Sequence, residues 1–219
     1  MGLLLITILP SILIVLYFIR SDKFKEPKKI TILTFIFGIL ITISAGFLNQ
    51  TFEFQQEMTR YAMASAGFIE EPLKYLVLYF FILKRKEFNE PMDGLVYGTC
   101  VSLGFATYEN MLYVYNFEYD NPFYIAFIRS FTAIPMHAIC GIIMGFYFGM
   151  YVFRKKQNYL FYSLLIPICI HSSYNFFVLD PPLMSFVILI IGFFLAKSLF
   201  NKLKKMQKFK NTEAEKKLI

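Results

Sequence analysis

Residues 66–83 read Ala-Gly-Phe-Ile-Glu-Glu-Pro-Leu-Lys-Tyr-Leu-Val-Leu-Tyr-Phe-Phe-Ile-Leu, a hydrophobic run of helix length with Glu70, Glu71, Pro72 and Lys74 near its middle. On insertion scales each charge at the centre of a membrane helix costs about 2.5–3.5 kcal/mol. Three of them within five residues cost about 8–10 kcal/mol if nothing answers them. Such a cluster implies a wet, protein-lined cavity at membrane depth. The other polar residues inside apolar runs are candidates for lining it.

The rest of the chain makes a membrane the only comfortable solvent. Of 219 residues, 57% are hydrophobic and 17% charged, with mean hydropathy +0.54. A soluble domain of this size cannot hide that much apolar surface. Seven apolar segments can be drawn, at about 2–19, 30–48, 61–83, 94–116, 124–153, 159–179 and 183–200, each near the ~20 residues a span needs. The expected fold is an all-α, polytopic membrane bundle of about seven transmembrane helices. Residues 1–200 form one transmembrane domain, with its core site in 60–177, and 201–219 form a basic cytoplasmic tail.

Charge sorts the connections. Segments 20–29, 84–93, 154–158 and the tail hold 18 of the 22 basic residues, whereas 49–60, 117–123 and 180–182 hold only Arg60. The positive-inside rule then sets the N-terminus outside and the C-terminus in the cytoplasm. The net charge of +7 reflects this asymmetry, so no nucleic-acid partner is expected. The first apolar run lacks a basic start and a small-residue cleavage site, and reads as a retained span. Cys100, Cys140 and Cys169 lie in apolar runs and read as plain buried residues. The Asn49-Gln-Thr51 triplet reads as a chance glycosylation match.

Few polar residues interrupt the spans, and they share a chemistry. Lys74 follows Glu70 by four residues and Glu71 by three, so both carboxylates can reach it on one helix face. Two carboxylates against one ammonium leave a surplus negative charge, and divide into a group suited to hold a proton and one suited to accept it. Pro72 removes a backbone donor and frees the Phe68 carbonyl, which predicts a kink. Span four carries Glu109 beside Tyr108 and Asn110. Span five carries Arg129, a surface anchor or a partner for Glu71 or Glu109, and His137, followed at spacing four by Gly141, Gly145 and Gly149. Small residues at that spacing let helices approach closely. Span six carries His171 and Asn175, one turn apart. At ~1.5 Å of rise per residue, Glu70, Glu109, His137 and His171 fall about 12–20 Å below the predicted outer surface, consistent with one shared site.

A Glu/His/His constellation can polarise a water for attack on a carbonyl, with a glutamate as base and a histidine at the oxyanion. It can also ligate a metal, although the HExxH spacing is absent. A proton or ion pathway in a transporter, or a non-enzymatic scaffold, is the third possibility.

The motifs Glu70-Glu71-x-x-Lys74, Asp93-Gly-x-Val-Tyr-Gly, Ser102-Leu-Gly-Phe-Ala-Thr-x-Glu109-Asn110, Arg129 with Pro135-x-His137-Ala-x-x-Gly141, Met144-Gly-Phe-Tyr and His171-x-Ser-Tyr-Asn175-Phe closely resemble the PrsW family of bacterial intramembrane proteases. The resemblance spans about residues 60–177. It implies membership in the wider group of CAAX prenyl endopeptidases and bacteriocin-processing enzymes, which includes a non-catalytic scaffold subunit of gamma-secretase. It further implies a multi-pass protein of the bacterial cell membrane that makes the first cut in a membrane-anchored anti-sigma factor. By the same resemblance Glu70 is the general base, Glu71 assists, His137 and His171 hold the water or oxyanion, and Asn175 completes the oxyanion hole. Lys74, Glu109 and Arg129 support them. No cofactor or metal is expected under this reading; a metal-dependent protease of the same fold is the alternative. Two positions depart from the wider group: Lys74 stands one residue nearer than the usual arginine, and Ala133 replaces a phenylalanine.

Overall fold

A computed structural model describes residues 1–53, 60–116 and 120–216. The described residues form helices α1 (Gly2–Ser21), α2 (Lys28–Glu53), α3 (Arg60–Val77), α4 (Pro91–Asn116), α5 (Pro122–Phe131), α6 (Ala133–Arg154), α7 (Gln157–Phe177) and α8 (Pro182–Lys216), and no strand. The all-α bundle is as expected, and the seven apolar segments fall on these helices, except that α8 continues past the expected end near residue 200 to Lys216. Five stretches are long and apolar enough to cross a membrane: 2–21, 28–50, 122–154, 157–177 and 182–209. The two remaining segments, α3 and α4, are the polar centre. α4 is buried almost without interruption from Met92 to Thr107, so protein rather than lipid surrounds it. It has no need of a uniformly apolar surface.

Two departures from the expected segments matter for the site. The fifth segment is not one helix. The chain breaks at Thr132, where φ is −125° and ψ −76°, and α5 and α6 leave it separately. Asn121 caps α5 by accepting from the Tyr124 N–H at 3.1 Å, with Pro122 behind it. α5 turns Phe123, Tyr124, Phe127 and Phe131 outward and carries Arg129 in its last turn. α3, by contrast, runs on through Pro72. Its irregularity comes further on, as a π-turn over Leu78–Ile82 in which the Leu83 N–H reaches back to the Leu78 carbonyl at 2.9 Å.

The glycine stripe behaves as its spacing predicts. α4 and α6 make the most extensive helix pair in the bundle. A Cβ on Gly141 would lie 2.7 Å from the Gly98 carbonyl oxygen, and one on Gly145 would lie 2.2 Å from that of Gly94. The two backbones therefore touch, and only glycine fits. α3 packs on α7 and α2, which brings the double glutamate against the second histidine. Cys100 and Cys140 are buried, but Cys169 is exposed on the outward face of α7, correcting the expectation that all three are interior. α2 extends to Glu53, into the connection drawn over 49–60.

Candidate active site

The site assembles at one end of the bundle. Glu70 lies ten residues into α3, Glu109 seven before the end of α4, His137 four into α6 and His171 six before the end of α7. At ~1.5 Å per residue these positions are about 6–15 Å from the helix ends. His137 is shallower than a continuous fifth span would make it, because the break at Thr132 restarts the helix.

Burial forces these groups to answer one another. Glu70, Glu71, Lys74, His137 and His171 are all buried, none more than 3% exposed. Lys74 is the hub. Its Nζ lies 2.7 Å from Glu71 Oε1, 3.8 Å from Glu70 Oε2 and 3.0 Å from His137 Nδ1. The Phe105 ring lies 4.2 Å from the ammonium, a cation–π contact. Arg129 reaches in from α5 to Glu109: Nη2 donates to Oε2 at 2.6 Å, while Nε donates to Asn110 Oδ1 at 2.8 Å. Of the expected roles for Arg129, the partner of Glu109 is the one seen. Asn110 in turn donates to the Thr7 carbonyl at 2.8 Å, fixing α4 to α1.

The histidine protons follow from this network. An ammonium has no lone pair, so His137 Nδ1 accepts from Lys74. Its Nε2–H then donates to Glu109 Oε2, 3.1 Å away. Ser102 secures the same turn by donating to the His137 carbonyl at 2.6 Å. His171 Nδ1 lies 2.8 Å from Glu71 Oε1 and donates to it; in the neutral ring this leaves Nε2 unprotonated. That nitrogen is 3.8 Å from Glu70 Oε2, and Glu70 Oε2 is buried without a hydrogen-bond partner. The two imidazoles meet edge to face, 5.0 Å between centroids. One atom each of Glu70, His137 and His171 lies within 4.8 Å of the others, so the three also form a potential metal-donor set.

Asn175 is one turn from His171 but stands apart from the ion-pair network: its amide donates to the Met63 carbonyl at 3.1 Å, tying α7 to α3. Two participants escape the sequence reading. Asn49, at the end of an apolar run, donates to Glu70 Oε1 at 3.3 Å. Phe105 was indistinguishable from a core aromatic. Only the proximity of both to the polar positions in neighbouring spans, which a sequence does not display, could have singled them out.

The chain is similar to known proteins over most of its length. The family described as "PrsW family intramembrane metalloprotease" matches residues 26–199. "Protease PrsW" of Geobacillus kaustophilus is 35% identical over 176 residues, covering 78% of this chain and 76% of the relative. The Bacillus subtilis protein of the same name is 34% identical, over 77% of this chain and 79% of its own. That of Clostridioides difficile is 32% identical over 203 residues, 87% of this chain and 85% of its own. No solved structure matches the chain. A buried Glu/His/His site inside a multi-pass helical bundle, together with this similarity along most of its length, makes the chain a member of the PrsW family of intramembrane proteases.

Proposed function

We propose that this peptide hydrolase is of glutamic type: Glu70 takes a proton from a water that attacks the scissile carbonyl. One observation carries the reading. Glu70 Oε2 and His171 Nε2 face each other across 3.8 Å, and with Glu70 ionised and the His171 ring neutral both are acceptors. Neither supplies the hydrogen between them, so a group with two O–H donors belongs there, and a water meets that need with bonds of ordinary length. The charge count supports Glu70 as the base. Lys74 and Arg129 offset Glu71 and Glu109, and the third carboxylate remains for the water.

The remaining roles follow. Glu71 holds the His171 tautomer. Lys74 sets a fixed positive charge beside the developing oxyanion. Arg129 and Glu109 orient His137. Asn175 donates to the oxyanion once its amide exchanges the Met63 carbonyl for substrate. With the N-terminus outside, the site opens toward the outer half of the membrane. The substrate is a single-pass membrane protein, an anti-sigma factor receiving its first cut there.

The family description and the Glu70/His137/His171 grouping favour a second reading, a catalytic metal. The donor types suit zinc. The proton arrangement does not suit a three-donor centre, because the one lone pair of neutral His137 is engaged by Lys74. Lys74 is itself enclosed by Glu71, Glu70 and Phe105. Of the Glu70/His137/His171 set, Glu70 and His171 Nε2 remain free to bind; outside it, Glu71 Oε2 is also without a hydrogen-bond partner.

The test uses purified protein in liposomes with candidate anti-sigma factors, read by mass spectrometry of the products. Cleavage that survives exhaustive chelation and disappears in Glu70→Gln supports the glutamate mechanism. Cleavage lost on chelation and restored by zinc overturns it.

A further inference from the structure

At the opposite end of the bundle, where the basic loops gather, lies a second buried cluster, and it is acidic. Asp22 ends α1, Glu26 sits in the α1–α2 connection, and Glu90 and Asp93 open α4; all four are buried, at most 7% exposed. Asp22, Glu26 and Asp93 each offer one carboxylate oxygen within 4.8 Å of the others. Their neighbours account for only part of their oxygens. Asp93 Oδ2 accepts the Asn89 and Glu90 N–H groups, both at 2.8 Å. Asp22 Oδ1 accepts the Phe24 N–H at 3.1 Å and the Gln207 amide at 2.6 Å. Tyr97 donates to Glu26 Oε2, and Gln207 also donates to Glu90.

Two oxygens are left over. Asp22 Oδ2 and Asp93 Oδ1 are shielded from solvent and have no hydrogen-bond partner. A buried carboxylate oxygen without a donor is costly, and two from residues of one cluster point to a missing positive partner. Neither Lys25 nor Lys204 makes a hydrogen bond to either oxygen. Lys25 donates to the carbonyls of Ile19, Arg20 and Asp22, and Lys204 to that of Ser21.

We propose that Asp22, Glu26 and Asp93 bind a hard divalent cation, which fastens the end of α1 and the α1–α2 connection to the start of α4. All donors are oxygens, the set taken by magnesium, manganese or calcium rather than by softer metals. A pocket of about 270 Å³, lined in part by Glu90, Pro91, Phe153, Met206 and Gln207, adjoins the cluster and offers an entry path. α8 closes the site from outside through Gln207.

The site is independent of the protease centre, and its test is thermal unfolding of the intact protein in detergent. After chelation, Mg²⁺, Mn²⁺ and Ca²⁺ are added one at a time. At a hundredfold excess over Kd, the melting temperature of wild type rises by about 5–10 °C with at least one of them. Asp22→Asn and Asp93→Asn abolish that rise, Glu70→Gln preserves it, and calorimetry finds one ion per chain. If Asp93→Asn fails to fold, Glu26→Gln carries the same expectation. No rise with any of the three ions overturns the proposal. So does a rise that persists in the carboxamide variants, or one that vanishes in Glu70→Gln, which would put the ion in the protease centre.

Discussion

Glu71 Oε1 lies 2.8 Å from His171 Nδ1, and this bond decides which nitrogen of the ring faces Glu70. The same oxygen accepts from Lys74 at 2.7 Å. Glu71 therefore has two tasks. Glu71→Gln keeps an acceptor oxygen but adds a competing donor and removes the charge, so the His171 tautomer is no longer enforced. Cleavage falls about 10²-fold or more. Both variants leave the Lys74 ammonium without its closest counter-charge, at a cost of about 3–5 kcal/mol, and Glu71→Ala also removes the acceptor oxygen. Paired cleavage and unfolding measurements distinguish the two. Wild-type stability in both variants would show that the ion pair does not hold the fold.

Glu70→Gln should leave the bundle intact, because its amide still accepts from Asn49. Under the proposed mechanism, loss of the Glu70 carboxylate lowers turnover by about 10²–10⁴-fold. Unfolding changes little, since one uncompensated buried charge is removed. Wild-type cleavage by the variant would end the base assignment.

The spans were legible because lipid demands long apolar runs, and the site because ionisable groups are rarely tolerated within them. Glu70, Glu109, His137 and His171 were found by that scarcity alone. What stayed hidden depends on distance across the fold. Asn49 and Phe105 look ordinary until α2 and α4 are set against α3. The break at Thr132 has its mark in Pro135, whose missing N–H frees the Phe131 carbonyl, but the apolar run continues across it, so a single fifth span was the natural reading. The acidic cluster was obscured by its surroundings: Asp22, Glu26 and Glu90 sit in loops dominated by lysine and arginine, and a count of charge there gives a positive face.

The α4–α6 contact makes a steric prediction. Gly145→Ala sets a Cβ 2.2 Å from the Gly94 carbonyl oxygen, and the helices must separate. Overpacking of this kind costs about 1–3 kcal/mol or more, and separation also moves His137 away from Lys74. Gly46, with nothing within 4 Å of a built Cβ, is the control. Gly46→Ala should be neutral, or stabilising by about 0.4–1 kcal/mol. Similar unfolding for both variants would refute the close approach.

Arg129 and Glu109 form a pair only partly exposed, 15% and 16%, and Glu109 links them to His137. A double-mutant cycle with Arg129→Gln and Glu109→Gln should show a coupling of about 1–3 kcal/mol in unfolding. Each single variant should lower kcat more than it raises KM, because His137 loses its orientation. Additive effects would mean that Arg129 is only a surface anchor.

The acidic cluster predicts a pH dependence with a definite sign. Burial raises the Asp22 carboxyl above 3.8, with Glu90 adding to it, against the opposing Gln207 and Phe24 hydrogen bonds and Lys25. Burial likewise raises Glu26 above 4.5, with Asp22 and Glu90 adding to it, against the hydrogen bond from Tyr97. A carboxyl whose folded value lies above its unfolded value binds its proton more tightly when folded. Its stabilisation is complete below the unfolded value and is lost as pH rises through the folded one. Chelated wild-type protein should therefore lose stability as pH rises from about 4 toward neutrality. Asp22→Asn should flatten that slope. Saturating divalent cation should flatten it in wild type too, because the ion takes the place of the proton. Unfolding curves at a series of pH values, with and without chelator, measure all three. A slope that is the same in Asp22→Asn as in wild type would remove Asp22 as its source.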